Sequence, residues 1–475
     1  MAEKLTPDIC VIGAGSGGLS VAAAAAAFGV PVVLVEKNKM GGDCLNTGCV
    51  PSKALLAAAK RAELMRSGEP FGVIAQKVSV EFDRVHAHVH GVIAAIAPND
   101  SAERFTGLGV KVIHGEARFT DRRTIAVGDQ YEICARRFVI ATGSKPAVPP
   151  IPGLDKTPYL TNETIFDLTE RPQHLIVIGA GPIGLELAQA FRRLGSAVTV
   201  LEAAQPLAKD DPECAAIVLD RLEREGVMIR IGAKVERVKG GRGTVEVVFS
   251  TDGQDATVEG SHILLATGRQ PAFEGLGLDA AGIRYERGGI VVNKKLKTSN
   301  ARVYAIGDVT GRAQFTHAAN YHAGIVIRSA LFRLPAKVND DAVPWVTFTE
   351  PELAQTGLTE AEAHKRGIKL RILRWPYHDN DRAQAERQTH GHIKVVTDKR
   401  GKILGATIVG AEAGELITTW TLAIAQNLNI RAFTGIVIPY PTLSEIGKRA
   451  ALDFFTPSLT SSWVRRIIAL LRLFG

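Results

Sequence analysis

GGDCLNTGCVPSK, residues 41–53, is the stretch around which the rest of the chain is organised. Cys44 and Cys49 stand five positions apart behind two glycines, and Pro51 follows at a position suited to a helix start. A pair at this spacing closes a small disulfide ring when the backbone brings its Cα atoms within roughly 7 Å. A helix opening at Pro51 would aim free backbone N–H groups at Cys49 and favour its thiolate over its thiol. The pattern reads as a redox switch, where two isolated cysteines would read as buried thiols or a static crosslink.

Composition sets the frame for that switch. At 475 residues the chain should hold more than one domain, because single cores usually stop growing beyond about 250–300 residues. Five cysteines are too few for a disulfide framework, so Cys10, Cys134 and Cys214 read as buried or incidental thiols and the close pair as catalytic. This usage favours a reducing, cytoplasmic compartment. The opening MAEKLTPD is charged and shows no secretory signal. Residues 9–35 are apolar enough to suggest a membrane span, but Gly13, Gly15, Gly17, Gly18, Gly29 and Pro31 punctuate them into strand, turn, helix and strand. The net charge of +8 is spread without a long run or interleaved aromatics. It reads as a solvated basic surface with some charge near phosphate-bearing cofactors, and no nucleic-acid partner is expected.

Two dinucleotide fingerprints flank the rest. In the first, the strand DICVIG (8–13) runs into GAGSGG, with Gly13, Gly15 and Gly18 in the GxGxxG positions. An alanine-rich helix follows, then a second strand that ends at Glu36. A glycine-opened helix N-terminus lets backbone amides reach a pyrophosphate, and an acidic residue about 20 positions on takes the ribose hydroxyls. The second copy is HLIVIGAGPIGLELA, with Gly179, Gly181 and Gly184, and the strand AVTVLEA carries Glu202. A carboxylate there suits NADH over NADPH because it would repel a 2′-phosphate. Ala203 and Ala204 supply no arginine, although Lys209 lies near. FVIATGSKP (138–146, with Thr142 and Gly143) recurs as ILLATGRQP (263–271, with Gly268), which indicates an internal duplication. Between the copies, residues 54–105 read as largely helical and 110–138 as short strands. The HAHVH run at His86, His88 and His90 reads as a packed or solvated trio, since two-residue spacing scatters side chains around a helix. No metal site is expected.

Residues 41–53 resemble, at thirteen positions including both cysteines, the active-site signature of the class I FAD-dependent pyridine nucleotide-disulfide oxidoreductases. The resemblance extends over roughly residues 8–455. It implies an α/β fold with two Rossmann-like domains, for FAD and NAD(P), plus a C-terminal α+β dimerisation domain. The boundaries it suggests are 1–150 and 276–343 for the two parts of the FAD domain, 151–275 for the NAD(P) domain, 344–455 for the interface domain and 456–475 for a basic tail. By the same resemblance, Cys44 is the interchange thiol facing the acceptor and Cys49 the charge-transfer thiol against the flavin. Lys53 lies near the flavin N5 and pairs with Glu186, and Asp308 in VYAIGD binds the ribityl chain. The helix in 314–327 points its N-terminus at the flavin ring. A tight homodimer would share each active site, the partner supplying Tyr440 and Glu445 from YPTLSE (440–445).

The family pattern has a histidine where this chain has Tyr440. A histidine near pKa 6.5 shuttles protons at neutral pH, whereas a tyrosine near 10 is a poor base. Tyrosine here resembles the mercuric reductase-like subgroup, although the GMTCxxC domain and the vicinal C-terminal cysteines of those enzymes are absent from this sequence. The expected activity is transfer of electrons from NAD(P)H through FAD to the Cys44–Cys49 disulfide, then to a metal ion or a small oxidised sulfur compound. Alternatives are a dihydrolipoamide dehydrogenase and an FAD-bound redox sensor or membrane-associated protein with little turnover. The tail SSWVRRIIALLRLFG (461–475) combines Trp463, Ile467, Leu470, Leu471 and Phe474 with Arg465, Arg466 and Arg472. Such a basic amphipathic helix suits peripheral contact with the inner face of a membrane, or docking on its own subunit or dimer partner.

Overall fold

The computed structural model describes residues 2–459 and 461–474, and for 458 and 459 the backbone alone. Two compact units divide the chain: residues up to Ala203 with Arg230–Val338, and Ala204–Ile229 with residues from Asn339 onward.

In the first unit, the buried run ICVI forms the centre of a five-stranded parallel sheet. Its strand order is Val303–Ala305, Arg137–Ile140, Ile9–Ile12, Val32–Glu36 and Val110–His114. Ile9, Val11, Leu34 and Val139 are fully buried, as expected of parallel strands covered on both faces. The turn after Ile12 needs its glycines. Gly13 has φ +103°, and a Cβ on Gly18 would collide with the Gly13 carbonyl oxygen. Helix α1 (Ser16–Ala27) therefore leaves the sheet at close range. The redox segment continues into α2 (Cys49–Arg66).

The second fingerprint repeats this geometry. His174–Ile178 pairs in parallel with Ala197–Glu202 on one side and His262–Leu265 on the other, and Pro182–Arg193 forms α3. Gly179 has φ +107°, and a Cβ on Gly184 would strike the Gly179 carbonyl. The two ATG segments meet: Ser144–Pro146 pairs antiparallel with Arg269–Pro271. Thr316–Ala330 forms α4, which lies against α1. A Cβ on Gly17 would come within 3.2 Å of the Ala319 Cβ, so Gly17 sets how closely the two helices approach.

The second unit is built on a five-stranded antiparallel sheet ordered Trp345–Thr347, Glu352–Gly357, Ile403–Gly410, His392–Asp398 and Leu370–Pro376. Helix Ala413–Ala425 backs it, with Trp420 stacked on Phe433 at 4.0 Å between ring centroids. A buried ion cluster ties helix Pro212–Arg224 and its N-cap Asp211 to this sheet. Lys394 Nζ, 5% exposed, lies 2.7 Å from Asp211, 3.0 Å from Glu213 and 2.7 Å from Glu360. Removing one member leaves the other charges buried and unbalanced. Lys394→Ala should therefore destabilise this unit by about 3 kcal/mol in chemical denaturation, while an unchanged midpoint would show the cluster to be stabilising nothing.

Candidate active site

The redox segment is pinned to the first fingerprint by its glycines. The Gly41 N–H donates to the Ala14 carbonyl at 3.0 Å, and Gly41 bridges to Gly15. Gly41 and Gly42 both take positive φ, and a Cβ on Gly42 would lie 2.7 Å from the Gly15 Cα. Cys44 sits on the single helical turn Gly42–Asn46, which Asn46 holds by donating to the Met40 and Gly42 carbonyls. Helix α2 opens at Cys49, two residues before the start expected at Pro51. Pro51 takes the third position of the first turn, where its missing N–H costs no hydrogen bond because the first turn has no internal acceptors.

Cys49 thus stands at one helix N-terminus and faces another. Its Sγ is 3.5 Å from the hydroxyl of Thr316, the first residue of α4. Neither helix has a side-chain N-cap, so both positive ends act on this sulfur. All five cysteines are free thiols. A hydrogen bond from the Cys44 thiol lowers Cys49 to about 6 against the opposing cost of burial, and the Thr316 hydroxyl and the Lys53 charge add to the lowering. The same bond, with burial, pushes Cys44 far up. The pair therefore shares one proton, kept on Cys44. Lys53 follows Cys49 by one helical turn, on the same face. Its Nζ lies 2.8 Å from the carboxylate of Glu186, a residue buried on α3.

The two fingerprints end in matched carboxylates. Glu36 accepts from the Ala14 N–H at 2.6 Å and the Asn38 N–H at 2.7 Å, and Glu202 accepts from the Ala180 N–H at 2.7 Å. Gly15 and Gly181 cap α1 and α3 without side-chain hydrogen bonds. A Cβ on Gly15 would meet only the Gly42 Cα at 4.0 Å, and one on Gly181 would meet nothing within 4 Å, so a pyrophosphate can approach either backbone. These residues fit FAD at the first site and a pyridine nucleotide at the second.

Sequence reasoning missed a polar network joining the redox turn to both ATG segments. Arg269 donates to the Ser144 hydroxyl at 2.7 Å and the Ser144 carbonyl at 3.0 Å, and lies 3.4 Å from Asp43, the residue before Cys44. Asn162 donates to Asp43 at 3.0 Å and to the Thr47 carbonyl at 3.1 Å. Ser144 donates to Asp308 at 2.6 Å, and burial pushes the Asp308 carboxyl up. The Thr142 hydroxyl donates to the Ala272 carbonyl at 2.6 Å. Gly143 and Gly268 take positive φ with open space where a Cβ would stand. A signal for the network was available: Ser144 and Arg269 occupy the same position after ATG in the two copies.

A cavity of about 380 Å³ opens over Cys44, with Ser16, Leu19, Val50, Asp100 and Thr316 in its walls. Tyr440 and Glu445 belong to the second unit. Tyr440 is 70% exposed and donates to Asp381 at 2.8 Å, and that carboxylate holds the phenol above its usual range. Tyr440 is therefore a protonated donor at neutral pH. Glu445 opens helix Glu445–Asp453 and is half-buried.

Comparison with known proteins places most of the chain in one group. Residues 7–323 match the pyridine nucleotide-disulphide oxidoreductase family and residues 343–451 its dimerisation domain. The chain is 36% identical over 450 residues to a mercuric reductase of Bacillus cereus, covering 94% of this chain and 71% of that protein. It is 34% identical over 452 residues to a dihydrolipoyl dehydrogenase of Bacillus subtilis, covering 94% and 95%. The fold matches the HOCl-induced flavoprotein disulfide reductase RclA of Escherichia coli with a TM-score of 0.83 at 30% identity, covering 94% and 99% of the two chains.

The Lys53 charge beside Cys49 has a measurable consequence. In Lys53→Met, the pH midpoint for alkylation of Cys49, read by peptide mass, should rise from about 6, because an ammonium favours the thiolate. A midpoint that stays in place would show the lysine to have no electrostatic hold on the sulfur.

Proposed function

The chain belongs to the pyridine nucleotide-disulphide oxidoreductase family and is an FAD-dependent NAD(P)H oxidoreductase with a redox disulfide and a dimerisation domain; within that class we propose that it reduces a metal ion or a small oxidised sulfur compound through Cys44. The observation that carries this reading is the unequal thiol pair, with Cys44 under an open cavity and Cys49 held as a thiolate between two helix ends.

Gly13, Gly15, Gly18, Glu36, Thr142, Gly143 and Asp308 would hold the FAD, and Gly179, Gly181, Gly184, Glu202 and Gly268 the nicotinamide dinucleotide. When bound, the flavin supplies the two-electron link between the nicotinamide and the sulfur pair. The Glu202 carboxylate and the absence of arginine at 203 and 204 favour NADH. Lys53, braced by Glu186, keeps a positive charge beside Cys49, so that this sulfur stays ionised while Cys44 exchanges. With a disulfide acceptor, the Cys44 sulfur attacks one acceptor sulfur as its proton passes across the shared hydrogen bond to Cys49, the acceptor S–S bond breaks, and the departing thiolate takes up that proton and leaves as a thiol, so that Cys49 is again ionised. Cys49 then attacks the Cys44 sulfur, re-forming the internal disulfide and releasing the second thiol. The net change is one NADH and one proton consumed per disulfide split into two thiols. Tyr440 and Glu445 of a homodimer partner would border the acceptor, where a protonated phenol can donate a hydrogen bond but not take the leaving thiol's proton. That suits a thiolate-held metal or a reactive small acceptor better than dihydrolipoamide. Cys44→Ser should keep its flavin, measured by absorbance, yet lose NADH-dependent reduction across a panel of Hg(II) and low-molecular-weight disulfides. Retained turnover would overturn the role given to Cys44.

We further propose that the tail rests on an anionic membrane surface. Helix Ser462–Leu471 and the turn Arg472–Phe474 have no buried residue. Trp463, Leu470, Leu471 and Phe474 are all more than half exposed, on a segment carrying three arginines and no acid. Such a face lies in the headgroup region and does not cross. Among the described residues no helix is long and apolar enough to span a membrane. The full-length chain should sediment with phosphatidylglycerol vesicles and a chain lacking residues 461–475 should not. Equal recovery in the supernatant would assign the tail to a protein contact instead.

A further inference from the structure

The cavity over Cys44 holds a carboxylate that, among the described residues, makes no direct ion pair. Asp100 lies in its wall, and its Oδ2 is 3.1 Å from where a Cβ on Gly41 would stand, three residues before Cys44. Among the described residues no side chain forms a hydrogen bond or ion pair with it. The nearest opposing charge is Arg104, one helical turn along and also in the cavity wall, which acts on Asp100 through space. That guanidinium is directed elsewhere: it donates to the Asn99 carbonyl at 2.5 Å, and the side chain is exposed to water. Leu19, Leu45 and Val50 make much of the remaining wall apolar, which weakens screening of the carboxylate at the point where an acceptor must enter. Apart from Arg104, the other polar lining groups are neutral, and two of them satisfy each other, Ser20 donating to Asn320 at 3.0 Å.

We propose that Asp100 determines acceptor specificity by selecting a small acceptor with positive charge at or next to the atom that Cys44 attacks, and by excluding acidic disulfides. The inference rests on the reading that Cys44 meets the acceptor, and it adds the charge class. A metal cation and an ammonium-bearing disulfide share this chemistry. A neutral disulfide enters without preference, and a dicarboxylate disulfide meets a like charge in a poorly screened wall.

The test compares wild-type holoenzyme with Asp100→Asn and Asp100→Glu. Three disulfides of differing charge are used with NADH: cystamine, bis(2-hydroxyethyl) disulfide and 3,3′-dithiodipropionate. In Asp100→Asn the ratio of kcat/KM for cystamine over dithiodipropionate should fall about tenfold, the size of one charge contact at a partly wet site. The neutral disulfide should hardly change, and Asp100→Glu should keep the wild-type ranking. A second readout needs no turnover: in dithiothreitol-reduced protein, the rate of Cys44 alkylation by iodoacetate relative to iodoacetamide should rise in Asp100→Asn by a similar factor. Protection of Cys44 by Cd(II) that weakens in Asp100→Asn would mark the favoured cation as a metal. A shift confined to the cystamine ratio would mark it as an ammonium disulfide. Turnover and labelling ratios that both stay put in Asp100→Asn overturn the proposal. If wild type reduces no disulfide and no metal while the labelling ratio still moves, the charge selection stands and the reductase reading fails instead.

Discussion

One proton shared between two sulfurs is the constraint on which the site depends. Cys44 and Cys49 carry the same side chain, yet one is held protonated and the other is lowered to about 6. The difference comes from backbone placement. Cys49 is the first residue of one helix and touches the first residue of another, whereas Cys44 lies on a single turn whose partner in hydrogen bonding is Cys49 itself. Two uncapped helix ends favour charge on one sulfur, and the bond between the thiols then disfavours it on the other.

The scaffold exists to hold that arrangement. Gly41 and Gly42 press the redox turn against Gly15, and Gly17 lets α4 approach α1 so that Thr316 reaches Cys49. Arg269, Asn162 and Asp43 tie the turn to the paired ATG strands. The segments expected to bind the two dinucleotides are therefore fastened to the same few residues that orient the cysteines. Movement of either ATG strand would be felt at Asp43, one residue from Cys44.

Much of this was legible in the sequence because it is local. The fingerprints, their terminal glutamates and the ATG repeat each lie within a short window, and a glycine that permits a close approach can be read from its spacing. The Lys53–Glu186 contact joins residues 133 apart, and resemblance to a family pointed to it where spacing alone would not. The first residue of α2 was misplaced by two positions because Pro51 is equally at home as the third residue of a helix as at its start. The Arg269 network escaped because its members come from five separate segments, and the link became visible only when the ATG strands paired. Asp100 escaped for the same reason: nothing in APND shows that its carboxylate meets Gly41.

The central claim is that the reduced pair is asymmetric, and selective [13C]cysteine labelling of the reduced wild-type chain tests it most directly by NMR titration. The account predicts one Cβ resonance, assigned to Cys49, that titrates near pH 6 while that of Cys44 keeps its thiol position up to about pH 9. Two resonances that titrate together near the ordinary cysteine value of about 8.5 would contradict it.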